Sequence, residues 1–200
     1  MLNWFRARSA NARKAKQLYG AVVAAARQPE FYRDYGVPDT LNGRYELVVL
    51  VLFQLLERLR TEGQAAEEQS RLTLEAFFTD MDDCLREIGV GDLAVPKKVK
   101  KAAAGFYERA RVYRTALEAG DRQAMAAALQ RFIDAQDVIE PDGTKAGAQS
   151  PAPSTRAGSH TAGDAFSALA AHAFRQRDAL AAADAEAVLD GRAFLAPEKI

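Results

Sequence analysis

Two hundred residues, 48% of them hydrophobic, suffice for one packed core and a tail but not for several independent domains. Lys plus Arg equals Asp plus Glu at 27 each, which excludes the global basic excess of a DNA-binding chain, so an electrostatic partner must meet a local patch. The lone cysteine, Cys84, excludes an intramolecular disulfide framework, CxxC redox chemistry and a cysteine-rich zinc site, and it fits a reducing, cytoplasmic setting.

Residues 1–14 form a basic N-terminal segment, and no carboxylate occurs before Glu30. The segment lacks the apolar run of about 7–15 residues that a secretory signal needs. Trp4 and Phe5 beside Arg6 and Arg8 suit a bilayer interface, where rings sit at headgroup level and arginines meet anionic lipid. The plainer alternative is a frayed basic terminus.

From about residue 10 to 27, Ala15, Leu18, Tyr19, Val22, Val23 and Ala26 recur at the three-four spacing of one helix face. Pro29 interrupts that helix. Residues 28–43 hold Pro29, Gly36, Pro38 and Gly43 and read as a connection whose Phe31, Tyr32 and Tyr35 pack inward. Thr40 or Asn42 can then cap a helix running to about Thr61. Its segment 47–56, LVVLVLFQLL, is apolar at nine positions in ten. A membrane span needs about 20 such residues, and Arg44, Glu46, Glu57 and Arg58 bracket this run too closely. The run predicts a buried central helix, with a strand disfavoured because no other segment offers it a partner.

A third helix, about 65–88, places Leu74, Phe77, Met81, Cys84, Leu85 and Ile88 on its expected core stripe, which makes Cys84 a small buried hydrophobe rather than a nucleophile. Asp80, Asp83 and Glu87 share another face. Without a nearby histidine or a ligand-bearing loop, they suit ion pairing better than metal binding. Gly89 and Gly91 then form a turn, not a phosphate loop, since neither glycine pattern of such loops is present. Pro96 opens a fourth helix to about 119, with Val99, Ala103, Phe106, Ala110, Tyr113 and Leu117 expected inward.

The outward face of this fourth helix carries Lys97, Lys98, Lys100, Lys101, Tyr107, Arg111 and Arg114. Residues 96–114 hold seven bases against Glu108 alone, whereas 57–92 hold ten acids against four bases. Four lysines also oppose the positive end of their own helix, at a fraction of a kcal/mol each. The face is therefore a candidate partner surface, with a solvated face or pairing to the acidic third helix as its structural alternative.

Asp121 caps a fifth helix, about 122–135, through Met125, Leu129, Phe132 and Ile133. Residues 140–165 contain no Val, Ile, Leu, Met or aromatic side chain, so 137–163 is expected to be a flexible linker. Residues 164–200 form a C-terminal helical segment, expected as a satellite, and a chain ending near Asp137 is expected to stay folded. Ser159, His160 and His172 make no credible triad, because no base and orienting acid sit in a strand-turn-helix context. No catalytic, metal or cofactor site is predicted, and binding is the default function.

Three strings carry a family resemblance: LYGAVVAAARQPEFY at 18–32, GVPDTLNGRYELVVL at 36–50 and DMDDCLREIGVGDLAVPKKVKKAAAGFYERARVY at 80–113. In that order they resemble the ubiquinol-cytochrome c chaperone family. The resemblance covers roughly 15–120 and fades beyond Ala135. It implies an all-α protein, with 15–136 as the chaperone domain of about five core helices. It also implies a chaperone or assembly factor that binds cytochrome b during biogenesis of the ubiquinol:cytochrome c reductase, respiratory complex III, and is no enzyme. Mitochondrial members act with a second assembly subunit and at the ribosome. The short stretch before the resemblance favours a bacterial-type member, cytoplasmic and peripheral at the inner membrane. The competing expectations are a ribosome- or membrane-surface-binding module without chaperone activity, or a small helical enzyme.

Overall fold

Local signals and apolar spacing together set eight helices in the computed structural model, which describes residues 2–135 and 162–198, with side chains described for 8–135 and 165–198. They are α1 (Leu2–Ala26), α2 (Pro29–Arg33), α3 (Leu41–Leu59), α4 (Gln64–Glu87), α5 (Val95–Glu118), α6 (Arg122–Asp134), α7 (Ala162–Ala182) and α8 (Ala185–Leu189). No strand occurs among the described residues, so the fold is all-α, with one continuous core.

The apolar run lies at the centre. Every residue of α3 from Tyr45 to Leu55 is buried, because α1, α4, α5, α6 and α7 all pack on it. Thr40 caps α3 by accepting from the Gly43 N–H at 3.1 Å. Asn42, the other cap candidate, instead donates Nδ2 to the Ile133 carbonyl at 2.9 Å and the Phe132 carbonyl at 3.3 Å, supplying a donor to the C-terminal turn of α6. Asp121 caps α6 as its position predicts, accepting from the Ala124 N–H at 2.8 Å.

The third predicted helix forms, but on a different phase. The buried stripe of α4 is Ala66, Gln69, Thr73, Phe77, Met81 and Leu85, leaving Leu74 half-buried and Ile88 and Cys84 exposed. Thr73 turns inward because its Oγ1 donates to the Gln69 carbonyl at 2.7 Å, which satisfies the hydroxyl inside the helix, while Gln69 donates its Nε2 to the Asn11 carbonyl of α1 at 3.5 Å.

The C-terminal segment is no satellite. Leu169, Ala170 and Ala173 of α7 are fully buried, Phe166 and Phe174 nearly so, and α7 lies on both α6 and α3. Side chains of the central helix tie it down: Gln54 Nε2 donates to the Ala173 carbonyl at 2.6 Å, and Arg58 Nε donates to that of Leu180 at 2.7 Å. Residues 137–161 of the expected linker, His160 included, lie outside the described residues, while 162 and 163 already belong to α7.

Candidate functional site

The turn between α4 and α5 aims the basic helix. Gly89, with φ of 85°, ends α4: its N–H bonds to the Arg86 carbonyl at 3.0 Å, and the Val90 N–H to that of Leu85 at 3.0 Å. This pair of bonds closes the α4 C-terminus and buries Val90. The Ala94 and Val95 N–H groups then both bond to the Gly91 carbonyl, at 2.8 and 3.2 Å, so helical winding starts before α5 itself. Val95 is fully buried, whereas Leu93, between the two anchors Val90 and Val95, is 99% exposed.

The structure brings most of the predicted partner residues onto one face. Lys97, Lys100, Lys101, Tyr107 and Arg111 are exposed, Tyr107 at 60%, while Lys98 is half-buried at the edge. Arg114 turns away to α3, where its guanidinium grips the Glu57 carboxylate at 2.5 and 2.9 Å. Of the residues expected at a membrane surface, the side chains of Trp4, Phe5 and Arg6 lie outside the described residues, and Arg8 is exposed on α1.

The acidic face of α4 has partners of its own. Asp80 accepts from the Tyr19 hydroxyl of α1 at 2.7 Å, and burial together with that carboxylate raises the phenol well above its ordinary pKa. Arg86 donates to Asp82 and to Asp92, each at 2.6 Å. Among the described residues no ion pair joins Lys97 or Lys100 to Asp80, Asp83 or Glu87, so these two lysines do not pair with the acidic helix. Partial burial raises the Cys84 thiol, and Asp80 and Glu87 raise it further, which leaves it a poor nucleophile despite its exposure.

Sequence reasoning missed a buried ion pair behind the basic face. Arg109 of α5 meets Glu46 of α3 in a two-pronged contact, Nη2 to Oε1 at 2.6 Å and Nε to Oε2 at 2.7 Å, with almost no exposure on either side chain. Its Nη1 donates to the Gly105 carbonyl at 3.1 Å, and the guanidinium lies 4.4 Å from the Phe132 ring centre and 5.8 Å from that of Tyr45. The only signal in the sequence is Glu46 opening the apolar run and Arg109 falling on the inner phase of the basic helix.

Two surface depressions stand out among the described residues. One, about 450 Å³ between α1 and α8, is lined by Arg13, Lys14, Gln17 and Asp190; the other, about 210 Å³, is lined by Gln54, Glu57, Arg58, Arg177 and Leu180. Neither has an aromatic lining suited to an apolar client, since Phe31, Tyr35, Phe53, Phe77 and Tyr113 are fully buried in the core. Among the described residues no group of three or more His, Cys, Asp or Glu is placed to hold a metal, and no helix is long and apolar enough to cross a membrane.

The profile of the ubiquinol-cytochrome C chaperone family matches residues 33–196. The chain is 25% identical over 119 residues to ubiquinol-cytochrome-c reductase complex assembly factor 1 of Xenopus laevis, covering 60% of this chain and 59% of that protein. It is 24% identical over 127 residues to ubiquinol-cytochrome c reductase complex assembly factor 1 of Mus musculus, covering 64% of this chain and 43% of that protein. The match thus spans less than two thirds of either relative. Among solved structures, the Cbp3 homolog from Brucella abortus is similar across 95% of this chain and 93% of its own, at 37% identity and a TM-score of 0.70.

Proposed function

The chain belongs to the ubiquinol-cytochrome c chaperone family, and we propose that it is an assembly chaperone for the ubiquinol:cytochrome c reductase that holds newly made cytochrome b. The observation that carries this reading is the family match across residues 33–196, together with likeness to the Cbp3 homolog along nearly the whole chain. The role is holding rather than turnover. It operates at the cytoplasmic side of the inner membrane, reached by peripheral contact between the basic N-terminal segment and anionic lipid. The face of α5 with Lys97, Lys100, Lys101, Tyr107 and Arg111 is the partner surface, and a second assembly subunit and the ribosome are the further partners proposed.

Two features of the structure support a protein-binding surface there. Lys97 and Lys100 are exposed and not paired with the neighbouring acidic helix, and Leu93 and Tyr107 leave apolar surface uncovered beside them. The test is deletion of the gene in its own organism, with haem-loaded cytochrome b and assembled reductase measured in membranes, followed by crosslinking of the tagged protein during reductase synthesis. Loss of the reductase together with a cytochrome b crosslink is the expected result. Unchanged reductase levels in the deletion strain would count against the reading.

A further inference from the structure

Leu93, Lys97, Lys100, Ala104, Tyr107 and Arg111 follow one another at intervals of four, three, four, three and four residues. That is a 3.5-residue period, the spacing of a helix seam that faces a second helix. Leu93 precedes α5 in the chain yet stays in register, because the Val95 N–H bonds to the Gly91 carbonyl and the Lys98 N–H to that of Ala94, continuing the helical winding backward through the turn. All six residues of the stripe are exposed, Leu93 at 99% and Tyr107 at 60%. Among the described residues Lys97, Lys100 and Arg111 take part in no ion pair. At 1.5 Å per residue the stripe is about 27 Å long, with an apolar side chain near each end and the small Ala104 between them.

We propose that this seam docks one acidic amphipathic helix of a protein partner, with carboxylates opposite Lys97, Lys100 and Arg111 and apolar residues against Leu93 and Tyr107. This rests on the reading of α5 as the partner surface and gives that partner its chemistry. Ala104 lets a second backbone approach to helix-packing distance, about 8–10 Å between axes. The desolvated contact is Leu93 and Tyr107, while the bases set register and select against basic helices. A flat anionic bilayer fits less well. It would meet the corner holding Leu93 together with exposed Asp83, Glu87 and Asp92, and the middle of the helix together with Glu108, which Arg131 holds at the surface at 3.0 Å. A single helix needs only the stripe and leaves those carboxylates in water.

The test uses the full chain and a labelled three-heptad helical peptide with Leu and Glu alternating along its seam, beside counterparts carrying Gln or Lys in place of Glu. Fluorescence anisotropy should show the Glu peptide binding at least about tenfold more tightly than the Gln peptide, with the difference narrowing as salt rises. Lys97→Glu, Lys100→Glu and Arg111→Glu together should weaken the Glu peptide by at least about tenfold and transfer preference to the Lys peptide. Leu93→Ser with Tyr107→Ser should weaken the Glu and Gln peptides alike. Melting temperature checks that each variant folds, and if the triple reversal unfolds, the triple Gln variant replaces it. Equal binding of the Glu peptide by parent and reversed chains overturns the proposal. So does binding of phosphatidylglycerol vesicles but not of peptide, or a concentration-dependent dimer of the parent that the reversal abolishes. Failure of the parent chain to crosslink cytochrome b counts against the chaperone reading alone, since the peptide measurement does not involve that client.

Discussion

A Cβ on Gly43 would stand 2.0 Å from the carbonyl oxygen of Pro38 and 3.2 Å from its carbon, both backbone atoms with no rotamer to escape through. Replacing a helical glycine by alanine ordinarily stabilises a protein by about 0.5–1 kcal/mol. At Gly43 the overlap reverses the sign, and Gly43→Ala should cost about 1–3 kcal/mol by forcing the 36–40 connection away from α3. Gly20, exposed in α1 with nothing within 4 Å of its added Cβ, is the internal control, and Gly20→Ala should gain about 0.5–1 kcal/mol. Urea unfolding of the two variants measures both signs, and a gain at Gly43 would show that the connection yields freely. His172 supplies a second residue-scale effect. Its ring is packed edge-on between Phe31 and Tyr35, at 5.2 and 6.0 Å, with Nδ1 buried and without a partner. Burial first and the Arg175 charge second lower its pKa to about 4. The unfolded chain therefore binds the proton more readily. Stability should be full above the unfolded value near 6.5, fall as pH drops from there toward 4, and level off below, by at most about 3 kcal/mol. Melting temperatures from pH 7.5 to 4.5 should decline for the parent and decline less for His172→Phe; identical slopes would remove His172 as the cause.

At the scale of elements, the Arg109–Glu46 pair fastens α5 to the central helix. Removing one partner leaves the other charge buried, at a typical cost of about 3–5 kcal/mol, whereas replacing both with apolar side chains of similar volume is often neutral. Arg109→Met should therefore destabilise strongly, and adding Glu46→Met should recover most of the loss. A double-mutant cycle by urea unfolding measures the coupling, and purely additive losses would mean that the two charges do not depend on each other. The same elements show what the sequence reveals and what it conceals. The apolar run of α3 announces burial on every side, and Asp121 and Pro96 mark helix starts by local chemistry alone. The phase of α4 was concealed because its inner stripe includes Gln69 and Thr73, polar residues that an apolar-spacing rule assigns outward, and so Cys84 and Ile88 were expected inside. The basic face of α5 was legible as charge. Arg114 and Arg109 leave that face because their helix phase brings a carboxylate near, Glu57 for one and Glu46 for the other, and neither acid is close in sequence.

For the whole molecule, the decisive element is the one whose sequence looked dispensable. The buried contacts of α7 include Ala170 and Ala173, residues that register weakly in any hydrophobic pattern yet let the helix lie close against α3 and α6. Covering a face with α7 also sets polar side chains of α3 against carbonyls of the C-terminal segment. Gln54 is 4% exposed and donates to the Ala173 carbonyl, and Arg58 donates to the carbonyls of Leu180 and Ala183. A chain ending near Asp137 would bare this side of α3 and leave Gln54 facing solvent from within an apolar surface. Satellite helices can be removed with little loss, but removing a helix that buries Phe166, Leu169, Phe174 and Leu180 forfeits about 1.5–3 kcal/mol for each of these large buried side chains, comparable in sum to the stability of a whole domain. The truncated chain should therefore lose cooperative thermal unfolding and self-associate, and a separately supplied 162–200 peptide should bind it and restore the transition. A truncated monomer that melts cooperatively near the parent temperature would show that α1 to α6 hold the core unaided.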